Sequence, residues 1–350
     1  MAKRADPQYL KNPPKSESSV RRVKKDKTER KRKMKLKEIY SFVVRRGIEK
    51  DPRSKGQIKD LLAESKKEFR KLKGVDARCY DKERFINPYA DTRILNGDPD
   101  LDVRSIMVGI DMEGPELLVA DRLNEKGKNI DLVMAHHPEG RAYANFYDVM
   151  HLQEAGFAKL GVPIEVGKEL LKERMGEVGR AVSGANHMRS VDVARLLEIP
   201  YICVHTPADN HVTNYLQSIF DKRKPKTLSN ALNILKAIPE YTDALKKHAG
   251  PHILIGEGKK KCGKVFVDMT GGTEGPKRIF SRLSQAGVGT IVAMHLSEEH
   301  FKQAKAEFIN VIIAGHIASD TLGLNLLLDA LEKRDAIKII PCSGFVRVRR

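Results

Sequence analysis

From about residue 104 the chain alternates between short apolar runs and longer amphipathic stretches, and this rhythm restricts the fold more than any other feature. RSIMVGID reads as a strand, GPELLVADRLNEKG as a helix and IDLVMAHH as a strand. RAYANFYDVMHLQEAGFAKLG and KELLKERMGEVGRAV read as helical, and SVDVARLLEIP as a short helix feeding the strand YICVHT. The second half keeps the pattern: strand GKVFVDM, helix GPKRIFSRLSQAG, strand GTIVAMH, helix EEHFKQAKAEF, strand NVIIAGH, helix TLGLNLLLDALEKR. Strands alternating with helices imply βαβ units. Uninterrupted apolar strands suit sheets covered on both faces. The expected fold is α/β, in two halves with mainly parallel sheets.

The N-terminal part does not share this rhythm. The net charge is +18, yet residues 1–50 hold 18 Lys and Arg against 6 Asp and Glu, so they carry +12 of it. KNPPKSESSVRRVKKDKTERKRKMK has almost no apolar residues and cannot supply a core face, so residues 1–34 read as a basic disordered arm. Such an arm suits contact with nucleic acid, although no aromatic residues are interleaved to stack on bases. A solubilising extension is the plainer alternative. Residues 35–75 read as two amphipathic helices. One carries Leu36, Ile39, Phe42, Val43 and Val44 on a face. The second carries Ile58, Leu61, Leu62, Phe69 and Leu72, with Pro52 suited to its first turn. Residues 76–212 then form the first α/β half and 213–350 the second. A chain of 350 residues accommodates this.

Several classes are set aside. No apolar run is long enough to span a bilayer, and the N-terminus has no apolar signal core, so a cytoplasmic location is expected. The cysteines Cys79, Cys203, Cys262 and Cys342 form no C-x-x-C pair, which removes the zinc-ribbon and thioredoxin readings.

Three apolar strands end in potential metal ligands. DLVMAHH ends in His136 and His137, YICVHTPAD in His205 with Asp209 four residues on, and NVIIAGHIASD in His316 with Asp320 four residues on. Ligands of open α/β sheets bind beyond the carboxyl ends of the strands. Neutral imidazoles with carboxylates form a donor set for Zn, Fe, Mn or Co. Side chains of adjacent residues on an extended chain diverge, so the histidine pair can serve two ions, or one ion and an outer contact. A lone histidine at a strand end is more often a hydrogen-bonded rim residue, and His295 is read that way. His211 and His300 are read as surface residues. The glycines of DMTGGTEGPKR (268–278) suit a tight turn or an anion cradle. His187 and Arg189 of GANHMRSVD (184–192) suit a phosphate contact or a polar surface loop.

HHP after an apolar strand, then HTPAD, then AGHIASD before a long amphipathic helix, together resemble the Nif-three-like dinuclear-metal family, also described as GTP cyclohydrolase I type 2-like. The resemblance runs from about residue 104 to 350, with the three motifs in the family's order. It implies metal ligation by His136, His137, Asp209, His316 and Asp320. At the last position the family has Glu bridging two ions, and Asp is one methylene shorter. The resemblance further implies two divalent ions per chain in a cleft between two α/β domains, and a homo-oligomer, a ring-shaped hexamer. Hydrolase chemistry on a small molecule such as a nucleotide or related cyclic amide is the expected function. His205, Asp111 and Glu139 are then candidates for a general base or for orienting the ligands. For His205 a simple strand-end role stands beside this. Two other readings remain open at this point: a non-enzymatic metal- or partner-binding protein, and a nucleic-acid-associated factor acting through residues 1–34.

Overall fold

The computed structural model describes residues 34–350, so the basic arm lies outside the described residues apart from Met34. Met34 does not belong to a solvated tail. Its side chain is 3% exposed, and its backbone pairs antiparallel with Val103. The pairing forms a short ribbon of β1 (Met34–Lys35) and β3 (Asp102–Val103). Deleting residues 1–33 is expected to shift the thermal midpoint by less than about 2 °C and to leave metal content unchanged, because the segment has little apolar surface to bury. Scanning calorimetry checks this. A drop of about 10 °C would mean the arm docks on the body or on another copy.

Helix α1 (Leu36–Lys50) buries the face made by Leu36, Ile39, Phe42, Val43 and Val44, as the spacing predicts. Helix α2 (Lys55–Lys71) begins after Pro52, not at it. Ser54 sets the start: its Oγ accepts from the Gln57 amide at 3.2 Å, and the Gln57 side chain accepts from the Ser54 amide at 2.8 Å. Helix α3 (Gly74–Cys79) completes the N-terminal segment.

Two sheets carry the rest. The first has the order β11 (Lys338–Pro341), β4 (Ser105–Gly109), β5 (Leu132–Ala135), β6 (Tyr201–Cys203), β2 (Arg93–Asn96), and only β2 runs antiparallel. The second has the order β7 (His252–Ile255), β10 (Asn310–Ile313), β9 (Val288–Ala293), β8 (Lys264–Asp268), with β7 antiparallel. Their central strands are apolar on both faces because both are covered. Helices α4 (Gly114–Glu125) and α8 (Arg189–Leu196) cover one face of the first sheet through Leu117, Ala120, Val191 and Ala194. On the second sheet, α6 (Leu152–Leu160), α7 (Ile164–Val182), α12 (Ile279–Gln285) and α13 (Glu298–Ala306) share a core with Ile291, Val311 and Ile313. The short α5 (Gly140–Ala144) follows β5. Helices α10 (Leu228–Lys236) and α11 (Pro239–Lys246) pack on the opposite face of the second sheet.

Between the sheets lie α9 (Thr206–Arg223) and α14 (His316–Arg334). Each serves both cores. Ala208 of α9 joins the first core and Val212, Leu216 and Phe220 the second. In α14 the assignment reverses: Ala318 and Leu322 enter the second core, and Leu324, Leu327 and Leu331 the first. The two helices meet at Gly323, where a Cβ would lie 2.4 Å from the Ala208 carbonyl oxygen. Only glycine permits that approach, and it sets Asp209 and Asp320 beside each other. No helix among the described residues is long and apolar enough to cross a membrane.

Candidate metal centre

The histidines follow from where the strands stop. β5 ends at Ala135, so His136 and His137 leave its carboxyl end. His205 follows β6 and precedes α9, and His316 follows β10 and opens α14. His205 and Asp209, like His316 and Asp320, are four residues apart at the start of a helix, so each pair lies on one face. The first sheet thus supplies three imidazoles, the second sheet one, and the two crossing helices both carboxylates.

These side chains converge. His136 Nε2 lies 3.4 Å from Asp209 Oδ1 and 3.4 Å from Asp320 Oδ1. His205 Nε2 lies 3.7 Å from Asp209 Oδ2. The other oxygen of Asp320, Oδ2, is 3.4 Å from His137 Nε2 and 3.5 Å from His316 Nε2. Two groups result, His136 with His205 and Asp209, and His137 with His136 and Asp320, each with ligand atoms within 4.8 Å of one another. Asp320 faces both with different oxygens.

Three imidazoles are held in one tautomer from behind. His136 Nδ1 donates to the Val204 carbonyl at 3.1 Å, His137 Nδ1 to Asp111 at 2.6 Å and His205 Nδ1 to Asp91 at 2.8 Å. With the proton on Nδ1, each Nε2 turns a lone pair into the cluster, as metal-bound histidines do. Facing them, His136 Nε2, Asp209 Oδ1 and both oxygens of Asp320 are buried without a hydrogen-bond partner. Four such orphaned atoms in one place carry a large desolvation cost unless a cation compensates them. The donor set, neutral nitrogens with carboxylate oxygens, suits a divalent transition metal.

The electrostatics agree. Burial lowers the His136 pKa, but the Asp320 and Asp209 carboxylates outweigh burial and hold it well above its ordinary value. Burial raises that of Asp320, and the surrounding His136, His137 and His316 outweigh it, keeping the carboxyl ionised. Without a cation, protons are drawn into the cluster to balance the acids.

Asp111 and His205, expected near the chemistry, therefore both adjoin the cluster: Asp111 orients His137, and His205 presents its own Nε2. Glu139 lies beside His137 on the wall of a cavity of about 480 Å³ that opens over the cluster. Burial, with repulsion from Glu113 and Asp111, pushes its carboxyl up to about 7 against the opposing effect of Ser190 and Arg189. Arg189 and His187 line the same cavity. So does His295, whose ring centroid is 4.9 Å from that of His316 and whose Nδ1 is 3.6 Å from Glu274. The glycine loop is a tight turn, with Gly271 and Gly272 both at positive φ, that brings Gly272 and Thr273 to the cavity wall.

His211 and His300 are not on the surface. His211 is 4% exposed and donates to the Pro207 carbonyl at 2.7 Å; His300 is 3% exposed and donates to the Gly275 carbonyl at 2.8 Å. His300 satisfies its other ring nitrogen on Ser297 Oγ at 2.7 Å, whereas His211 Nε2 is buried without a partner. Asp91 was not visible in the sequence as a site residue. Fully buried, it accepts from both His205 Nδ1 and Thr206 Oγ1, the latter at 2.5 Å, and no local pattern marks it.

The fold has a counterpart among solved structures. A NIF3 superfamily protein from Sphaerobacter thermophilus superposes with a TM-score of 0.63 at 26% identity, covering 83% of this chain and 98% of that one. Reduced HcgD from Methanocaldococcus jannaschii gives a TM-score of 0.44 at 13% identity over 71% of this chain and 87% of its own. A Bacillus cereus protein related to NIF3 gives 0.38 at 11% identity over 74% and 93%. No protein-family model matches the sequence, and no curated protein matches it.

Proposed function

We propose that this chain, which belongs to the NIF3 superfamily, holds two divalent metal ions in the cluster and is a metal-dependent hydrolase of a small molecule. The observation that carries this is the set of buried, partnerless ligand atoms, His136 Nε2, Asp209 Oδ1 and both oxygens of Asp320. We assign His136, His205, Asp209 and Asp320 Oδ1 to an inner position, and His137, His316 and Asp320 Oδ2 to an outer one. Four protein ligands would leave a bound ion little room for anything else, whereas three would leave room for water or substrate. Burial supports the same division: the His136 and His205 side chains are 0% and 8% exposed, those of His137 and His316 26% and 40%. Two metal ions so held would supply Lewis acidity and a nucleophilic water.

The chain's own residues do the rest. Asp91, Asp111 and the Val204 carbonyl fix the three imidazoles. Glu139, with its carboxyl near neutrality, is placed to take a proton at the mouth. Tyr143 and Phe146, stacked at 5.6 Å, line the mouth with Arg189 and suit a planar ring bearing an anionic group. That supports a nucleotide or related cyclic amide as substrate. A cytoplasmic location, assembly into a hexamer and nucleic-acid contact through residues 1–33 belong to the proposal as well.

The closed inner group favours one other reading, a structural ion with no turnover. Purified His137→Ala protein assayed on a panel of nucleotide and cyclic-amide substrates separates the two. The hydrolase reading expects one ion per chain to remain and turnover to fall about a hundredfold or more. A wild-type protein that holds metal but turns over nothing on the panel favours the structural reading.

A further inference from the structure

A second cavity lies apart from the one that opens over the histidines. It measures about 900 Å³ and lies between α6, α9 and the edge strand β8. That is the size of sites for small molecules. Its wall is largely apolar: Phe157, Phe220 and Val267 are buried there, and Leu160, Val265 and Phe266 are half-buried. Around it stand Lys159, Lys224, Lys226, Lys261 and Lys264, all exposed. Among the described residues none of the five has an ion-pair partner; Lys264 only donates to the Leu160 carbonyl, at 2.7 Å.

The acids of the cavity, Asp51, Asp221 and Asp268, offset these charges only in part. Asp51 is committed to Arg53 at 2.8 Å, and Asp221 accepts from Gln217 at 2.9 Å. Asp268 and Thr270 line both this cavity and the pocket containing His205, His316 and Asp320, so they stand between the two. Five unpaired cations over apolar wall do not suit a purely apolar occupant, because bringing one there desolvates charge without compensation.

A peptide strand is disfavoured too. An edge strand ordinarily offers free backbone groups. On β8, however, the Gln217 side chain donates to the Val265 carbonyl at 3.1 Å and accepts from the Val267 amide at 2.9 Å. The wall of the cavity therefore has its edge already paired, and what remains is apolar surface with a cationic rim.

We propose that this cavity is a ligand site separate from the histidine cluster, taking a small anionic amphiphile: an acyl or prenyl body with one carboxylate or phosphate head. The body leaves water against the half-buried Leu160, Val265 and Phe266. The head is received by the unpaired lysines, which reach it as flexible point charges from the rim. The head group is therefore what distinguishes a ligand from any other apolar molecule.

The test uses the full chain and 1-anilinonaphthalene-8-sulfonate, an anionic amphiphile whose fluorescence reports the cavity. Saturable binding of one dye per chain is expected. Laurate and dodecyl phosphate should displace it; dodecanol and inorganic phosphate at the same concentrations should not. Which of the two acids displaces better decides the head group. A variant with Lys159→Glu, Lys224→Glu and Lys261→Glu should bind the dye about tenfold more weakly, from the loss of screened surface attraction. All three residues are exposed, so circular dichroism and metal content should match the parent. Absence of saturable binding, displacement by dodecanol as readily as by laurate, or unchanged affinity in the charge-reversed variant would overturn the proposal.

Discussion

Asp320→Ala should abolish the outer metal position and weaken the inner one by about 10- to 100-fold. The geometry sets this asymmetry. Oδ2 is the one carboxylate oxygen near both His137 and His316, at 3.4 and 3.5 Å, so without it the outer position keeps two imidazoles. The inner position loses Oδ1 but keeps Asp209 with His136 and His205. Asp320→Glu should instead retain both ions, since the added methylene lengthens the reach of the same two oxygens. Elemental analysis of the two variants checks the pair of outcomes. Full metal content in Asp320→Ala would remove this residue from the ligand set.

Gly323→Ala is expected to be the most damaging single methyl in the protein. The new Cβ would meet the Ala208 carbonyl oxygen at 2.4 Å and its carbon at 2.9 Å, both backbone atoms within a helix. Neither can rotate away, so α9 and α14 must separate. Overpacking of this kind costs roughly 2–3 kcal/mol, or about 3–4 °C in thermal midpoint for a chain of this size. The separation also draws Asp209 from Asp320, so metal affinity should fall together with stability. A melt within about 1 °C of the parent, with metal retained, would show that the crossing is not held as closely as described.

Much of this was legible in the sequence for a physical reason. An apolar run with no polar interruption marks a covered strand, and a histidine at its end marks the edge of the core. That pattern singles out His136, His137, His205 and His316, and the four-residue spacing adds Asp209 and Asp320; the structure brings these side chains together. What escaped depends on contacts remote in sequence. β11 returns to pair with β4, and β2 pairs antiparallel with β6, through registers no local pattern encodes. Asp91 is 114 residues from the histidine it orients. His211 and His300 look like surface residues because a polar side chain within a helix usually faces water, whereas here His211 bonds to the Pro207 carbonyl of its own helix and His300 to the Gly275 carbonyl of a neighbouring loop. His295 was read as a rim residue, which describes its bond partner but not its nearness to His316. Gly323 sits in LGLNLL, where nothing distinguishes a glycine needed for helix contact from one merely tolerated.

The measurement that bears most directly on the account is metal stoichiometry in protein purified without chelator at neutral pH, followed by timed exposure to EDTA. Two divalent ions per chain are expected. The outer one should leave first, because its ligands are the more exposed, and the inner one should persist. Both should be lost below about pH 6, where protons compete with the ions for the imidazole nitrogens. Metal content near zero in the untreated protein, with the fold intact by circular dichroism, would contradict the account.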